Sequence, residues 1–360
     1  MDGVERMKKR KFGPALYFAS DKNVFDALVQ KHKVDAQTLT TLFRNRNTIV
    51  SKATDREVLA DYFSRLTHDY YDHKLISEKI GIAPRRERST TVELVGELDV
   101  NDVRSAIEEL KREIIESGDN AYISREGDNF SLTIQYSRFD YKKSEFAQLV
   151  VKDAVIEFTK TENGYSIVSP QNDFTNEIRD EIVSSITTQA PTQIEKFIVT
   201  LFDKPSPQVR TKFFIDLIDG LEGFSKRDVT DVYVYKPKPS DEDRDDLTSD
   251  EDETHIEKVL LRGNGVNRSG ILNDLVSSDT YFIVKICWLT KRVLGNGDIY
   301  KLEASFADPK DCHKFSVLLK SVHPNIDGKF PRSRTPLKPE IDELSKAIET
   351  SAKKAMVAIK

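Results

Sequence analysis

Thr90-Thr91-Val92-Glu93-Leu94-Val95 is the stretch that decides the fold class. Apolar and polar residues alternate there with the period of two that places successive side chains on opposite faces of a strand. Upstream, Val24, Phe25, Leu28 and Val29 fall at helical spacing, and so do Val58, Leu59, Tyr62, Phe63 and Leu66. Downstream, Asp99 opens a helix through Val103, Ile107, Leu110 and Ile114 that stops at Ser117-Gly118. A hairpin follows, Ala121–Ser124 with Phe130–Tyr136. A second hairpin joins Gln148–Phe158 to Tyr165–Val168 through Asn163-Gly164, which supplies the positive φ of a tight turn. The class is therefore α+β: a helical N-terminal domain followed by two mixed α/β modules with mainly antiparallel sheets.

Composition shifts set the expected boundaries. Residues 1–88 form a basic helical domain, with Asp35 as one helix cap and Ser51 or Thr54 as another. Residues 89–189 form an α+β module that closes with a helix capped by Asp173. Residues 190–239 read as helices over Ile194–Phe202 and Val209–Leu221 and a strand over Val229–Tyr235. An acidic linker occupies 240–255. Residues 256–327 form a second α+β module, from strand Ile256–Arg262 and helix Ile271–Val276 to strands Tyr281–Leu289 and Ile299–Phe306. Residues 328–360 hold a basic, Pro-containing connector and a C-terminal helix with Ile341, Leu344 and Ile348 on one face.

The 360 residues carry a net charge of −5 that is unevenly spread. The first 90 have 18 Lys and Arg against 12 Asp and Glu, a balance of +6, which leaves −11 for the rest. Nine acidic residues fall between Ser240 and Glu253. Such a run repels itself and reads as a solvated linker in preference to a nucleic-acid mimic. Two cysteines, Cys287 and Cys312, cannot form a disulfide framework. The longest apolar run, Tyr281–Leu289, is strand-sized and contains Lys285, too short to span a bilayer. No secretory leader is evident, so a cytoplasmic protein without a membrane partner is expected.

The basic residues of the helical region sit in a pattern. Leu39-x-x-Leu42-Phe43-Arg44-Asn45-Arg46 is followed by an extended link to Val50, then by Arg56-Glu57-x-Leu59. Over roughly Asp35–Leu66 this resembles the helix-extension-helix of SAP-type nucleic-acid-binding modules. It differs in its extension, which is Asn45-Arg-Asn-Thr-Ile49 where such modules have small, glycine-rich residues. The resemblance implies that Arg44, Arg46, Lys52 and Arg56 contact phosphates. Arg85, Arg86 and Arg88, with Lys8-Lys-Arg-Lys11, add charge of the kind phosphate binding requires.

Other constellations carry less. His68-Asp69-Tyr-Tyr-Asp72-His73 offers two i,i+4 ligand pairs about 100° apart on a helix, better explained as a polar helix end than as a metal site. Gly263-Asn-Gly-Val-Asn-Arg268-Ser269-Gly270 lacks the spacing of a nucleotide loop and reads as a turn before a helix. Asp153, Glu157 and Lys160 have the residue types of a metal nuclease but split across both faces of a strand. Cys312-His313 points a nucleophile and a base in different directions. Aromatics in Tyr233–Tyr235 and Tyr281–Trp288 suit a core more than base stacking, Trp288 above all.

The sequence thus points to a non-catalytic nucleic-acid-binding protein, DNA more than RNA, that acts as an accessory or scaffold subunit without a cofactor. One alternative is a protein-interaction subunit with its own protein partner. In general appearance the chain resembles prokaryotic proteins of the kind encoded beside antiviral-defence and mobile-element genes. A divergent metal-dependent nuclease ranks third.

Overall fold

The computed structural model describes residues 19–80, 86–139, 141–237, 256–278, 280–295 and 297–359. Lys8–Lys11, Arg85 and the acidic stretch Ser240–Glu253 lie outside the described residues. In chain order the helical region holds α1 (Asp21–Leu28), α2 (Ala36–Asn45), α3 (Arg56–Ser64) and α4 (Tyr70–Ile80). Then come β1 (Ser89–Val95), α5 (Val100–Glu116), β2 (Asn120–Glu126), β3 (Asn129–Phe139), α6 (Glu145–Gln148), β4 (Leu149–Thr161), β5 (Gly164–Pro170), α7 (Asp173–Gln189) and β6 (Glu195–Phe197). The remainder is α8 (Pro207–Asp219), β7 (Phe224–Tyr235), β8 (Lys258–Arg262), α9 (Gly270–Ser277), β9 (Phe282–Arg292), β10 (Ile299–Asp308), β11 (His313–His323) and α10 (Lys338–Ala358). The fold is α+β, and every described strand pair is antiparallel.

The chain divides into two compact units that are not consecutive in sequence. The first comprises residues 1–86 and 101–155, the second 87–100 and 156–360. This departs from the serial division expected above. The expected module 89–189 is split, because β1 pairs with β5 on one side and with β11 and β6 on the other. Local periodicity reports a strand but says nothing about its distant neighbours.

In the first unit the α1–α4 helices close around Leu28, Leu42, Phe43 and Phe63, all fully buried. Each such side chain contributes roughly 1.5–3 kcal/mol of apolar burial. Phe43 and Phe63 meet edge to face at 5.3 Å. Phe146 of α6 joins this core, and the Ser77 hydroxyl donates to its carbonyl at 2.8 Å. Asp35 caps α2 as expected, accepting from the Thr38 amide at 2.7 Å. The cap of α3 is Asp55, accepting from the Glu57 amide at 2.8 Å, and neither Ser51 nor Thr54.

In the second unit the strands run in the order β4-β5-β1-β11-β10-β9-β7-β8, with β6 also on β1. One face is apolar: Trp288, Tyr300, Leu302, Phe306 and Phe315 are buried with Phe213, Phe214 and Leu217 of α8 and with Leu344, Ile348 and Ala352 of α10. Trp288 is core, as its neighbourhood in the sequence required. Asn172, one residue before the expected Asp173, caps α7. Residues Glu195–Phe197 form a strand where the spacing predicts a helix; they pair with Val95–Glu93 of β1, and a sheet partner overrides local preference.

Candidate nucleic-acid interface

Of the seven sequence-predicted cations, six are among the described residues, and they stand in different circumstances. α2 and α3 are joined by the ten residues 46–55. Arg46 turns inward: it pairs with the buried Asp72, and its guanidinium lies 5.4 Å from the Phe63 ring. Arg56 is also inward, donating from Nε to the Leu28 carbonyl at 2.7 Å and from Nη2 to the Val34 carbonyl. It closes the C-terminal end of α1, and burial lowers its pKa. Neither guanidinium is presented to a ligand, so these two phosphate contacts implied by the resemblance are structural in this fold. Arg44 and Lys52 are exposed, with no hydrogen-bond or ion-pair partner among the described residues. Arg86 is exposed as well, and burial lowers its pKa.

Arg88 leads to a larger assembly of charge, built wholly within the second unit. The register sets Glu303 of β10 opposite Cys287 of β9, Cys287 opposite Asp231 of β7, and Asp231 opposite Arg262 of β8. Side chains in register across a sheet share a face, so this row lies on one face. Lys301 and Lys285 fall on it too, each two residues along its strand from a member of the row. Lys320 joins from the irregularity in β11, where the pairing with β10 shifts register.

Two buried carboxylates organise the cations. Glu303 Oε1 accepts from Arg88 Nε at 2.8 Å and Nη2 at 2.5 Å, and lies 3.0 Å from Lys285 Nζ. Its Oε2 accepts from Lys320 Nζ at 2.9 Å and from the Cys287 thiol at 3.3 Å. Burial pushes the Glu303 pKa up, yet hydrogen bonds from Lys320, Arg88 and Lys285 outweigh it and hold the carboxyl down at about 2. Asp231 is held low in the same way, by Arg262 at 2.5 Å, Thr230 at 2.8 Å and Lys301 at 3.5 Å, against its own burial. Lys285 also lies 4.6 Å from the centroid of the Tyr233 ring.

The arrangement is layered. The Glu303 and Asp231 side chains are 2% and 5% exposed, while those of the five cations range from 20% for Lys285 to 69% for Arg262. Five cations share two carboxylates, leaving a surplus of three positive charges on the outer layer. From β8 to the residue before β1 the cations cross five strand spacings, roughly 24 Å at about 4.8 Å each. Buried acids fix the positions of the heads above them, so the cations stand already in place at the surface.

Sequence reasoning found Arg88 and missed Lys285, Lys301, Lys320, Arg262, Glu303 and Asp231. The signal was a lysine inside the most apolar run of the chain, Lys285, and the alternation Lys301-x-Glu303 one strand later.

The remaining candidates are accounted for by local structure. Asp72 is engaged by Arg46, and the buried His73 ring lies tilted against Phe146 at 4.8 Å. Among the described residues no group of three His, Cys, Asp or Glu side chains is placed to hold a metal. Asp153 accepts from Gln135 in the first unit, whereas Glu157 pairs with Lys338 and Lys160 donates to the Leu98 carbonyl in the second. The Gly265 amide donates to Asp228, so a carboxylate already takes that amide of the glycine-rich turn. Burial pushes the Cys312 thiol up to about 12, and His313 bonds Thr200. No described helix is long and apolar enough to cross a membrane. Compared with protein-family models and with curated proteins, the sequence matches none.

Proposed function

We propose that the protein binds nucleic acid through the basic face of the second unit's sheet, as an accessory rather than a bond-breaking component. The observation that carries this reading is the surplus of positioned cations over buried carboxylates across that face. Phosphates supply most protein–nucleic-acid contacts and most of the affinity, and a row of preset cations is the surface they require. The described residues of the face offer no array of outward amides and carboxylates for reading base edges, so recognition is weakly sequence-specific. Arg44 and Lys52 supply further free charge in the first unit. DNA is the substrate we assign first.

Fluorescence anisotropy with short single- and double-stranded DNA and RNA tests the reading. The double variant Arg262→Gln/Lys320→Gln removes two partly exposed cations and leaves each carboxylate a partner. Binding at low salt that weakens about tenfold or more in this variant supports the proposal. Unchanged affinity in the variant, or no binding by the native chain at low salt, removes it.

A further inference from the structure

Elsewhere in the second unit the sheet parts beside β1. β1 meets β11 at the pair Ser89–Val317, and β6 takes up the same side of β1 further on, at Glu93 to Val95. A cleft of about 320 Å³ lies there, walled by Val92, Phe197, Ile198, Phe315 and Val317. Its size is that of a small-molecule site, and its apolar walls are rimmed by many polar and charged side chains.

Four of its polar residues are buried: Thr90, Asn176, Arg179 and Glu349. Glu349 of α10 accepts the Thr91 hydroxyl, and one turn later Lys353 pairs with Glu93. Arg179 of α7 is held by Asn176 at 3.0 Å, Ser169 at 3.4 Å and Asp180 at 3.1 Å. Lys196 of β6 lies 3.5 Å from Asp180. From the hairpin between β10 and β11 come Asp308, whose carboxylate accepts the Asp311 amide, and His313, bonded to Thr200. The backbone at this end is strained: Cys312 and Lys314 both hold positive φ, +50° and +59°, without being glycine. Such conformations persist where the surroundings enforce them, and they gather at ligand sites. Lys314 lines the cleft, is exposed, and has no ion-pair or hydrogen-bond partner among the described residues.

The carboxyl of Glu349 is what gives the cleft its chemistry. Burial pushes its pKa up to about 7, helped by Glu93 and opposed by Thr91 and Lys353. A neutral carboxyl presents a hydroxyl donor and a carbonyl acceptor side by side, whereas the ionised form only accepts. That side-by-side pair complements the adjacent acceptor and donor on a nucleobase edge. The free ammonium of Lys314 is a counter-charge for one phosphate, and the phenyl walls suit the faces of a base.

We propose that this cleft binds a nucleoside monophosphate, with the base edge at Glu349 and Thr91 and the phosphate at Lys314. The site is separate from the polymer-binding face, and either reading stands if the other falls.

Isothermal titration calorimetry of the full chain tests it, with the four ribonucleoside 5′-monophosphates, the matching nucleosides and inorganic phosphate as probes, at pH 6 and pH 8.5. At least one monophosphate binds one to one at pH 6, more tightly than its nucleoside and than phosphate. Lys314→Ala brings that monophosphate down to the level of its nucleoside, at least a fivefold loss. The nucleoside carries no titrating phosphate, so its affinity reads Glu349: it falls severalfold from pH 6 to pH 8.5. Glu349→Gln keeps a donor beside an acceptor, binds the nucleoside, and abolishes that fall. Thr91→Val weakens binding from a different element. The proposal is overturned if no probe binds at pH 6, if Lys314→Ala leaves the monophosphate unchanged, or if the pH effect survives in Glu349→Gln. A melting curve for each variant confirms that the folded protein is being titrated.

Discussion

Glu303 and Glu349 belong to the same unit and are both removed from water, yet they titrate in opposite directions. Burial alone raises the pKa of each, because an ion is costly to desolvate. Around Glu303 two lysines and an arginine answer that cost, and the carboxyl stays ionised down to about 2. Around Glu349 there is one hydroxyl and one lysine already shared with Glu93, and the carboxyl is neutral until about pH 7. What a buried acid becomes is decided by the partners its register delivers. On the sheet face the register delivers cations from several strands; at the cleft it delivers a threonine.

The comparison breaks most visibly at Glu303. Glu303→Gln leaves Arg88, Lys285 and Lys320 crowded without a counter-charge, and its expected cost is about 3–5 kcal/mol, read by urea denaturation at pH 7. A loss below about 1 kcal/mol would mean that the cations do not depend on the acid.

Glu349→Gln has the opposite sign. A carboxyl whose folded pKa is raised contributes stability that is intact below its unfolded value, 4.5, and is lost as pH rises through about 7. The amide has nothing to lose, so the variant matches the native chain at pH 4 and exceeds it at pH 8 by roughly 3 kcal/mol. For Glu303 the folded pKa is depressed, so its contribution is present above 4.5 and lost as pH falls toward about 2. Denaturation midpoints measured from pH 4 to pH 8 therefore improve with rising pH in Glu349→Gln relative to the native protein. A parallel pair of pH curves would contradict the contrast.

Smaller effects separate the arginines of the helical module. Arg56→Ala forfeits two charged hydrogen bonds to the Leu28 and Val34 carbonyls and costs about 1.5–3 kcal/mol, seen as a fall in Tm. Arg44→Ala, at an exposed position, stays within about 0.5 kcal/mol. If the two variants melt alike, the inward and outward assignments are wrong.

Much of this was legible in the residues and some was not. The alternation from Thr90, the hairpin that joins β4 to β5 and the Asp35 cap are legible because each depends on neighbours in sequence, although that hairpin turns at Glu162-Asn163, with Gly164 already paired to Thr161, and not at Asn163-Gly164. The inward turn of Arg46 was also available, since it continues the helical spacing of Leu39, Leu42 and Phe43, whereas Arg44 does not. The pairing of β1 with β11 joins residues more than 200 positions apart, and no local pattern encodes it. Without that pairing, Arg88 is a basic residue in a connector; with it, Arg88 is one of three cations on Glu303. The three-residue strand β6 was too short to show a period, and the sheet edge it joins determined its form.

The salt dependence of oligonucleotide binding is the most direct test of the central claim. For the full chain, the logarithm of the association constant falls linearly with the logarithm of salt concentration. In Arg262→Gln/Lys320→Gln the slope is shallower by about 1.4–1.8, as expected when two fewer phosphates are neutralised. Equal slopes in the two proteins, or binding that ignores salt, would contradict the account: the cations of the sheet face would then be serving their own carboxylates and nothing outside the molecule.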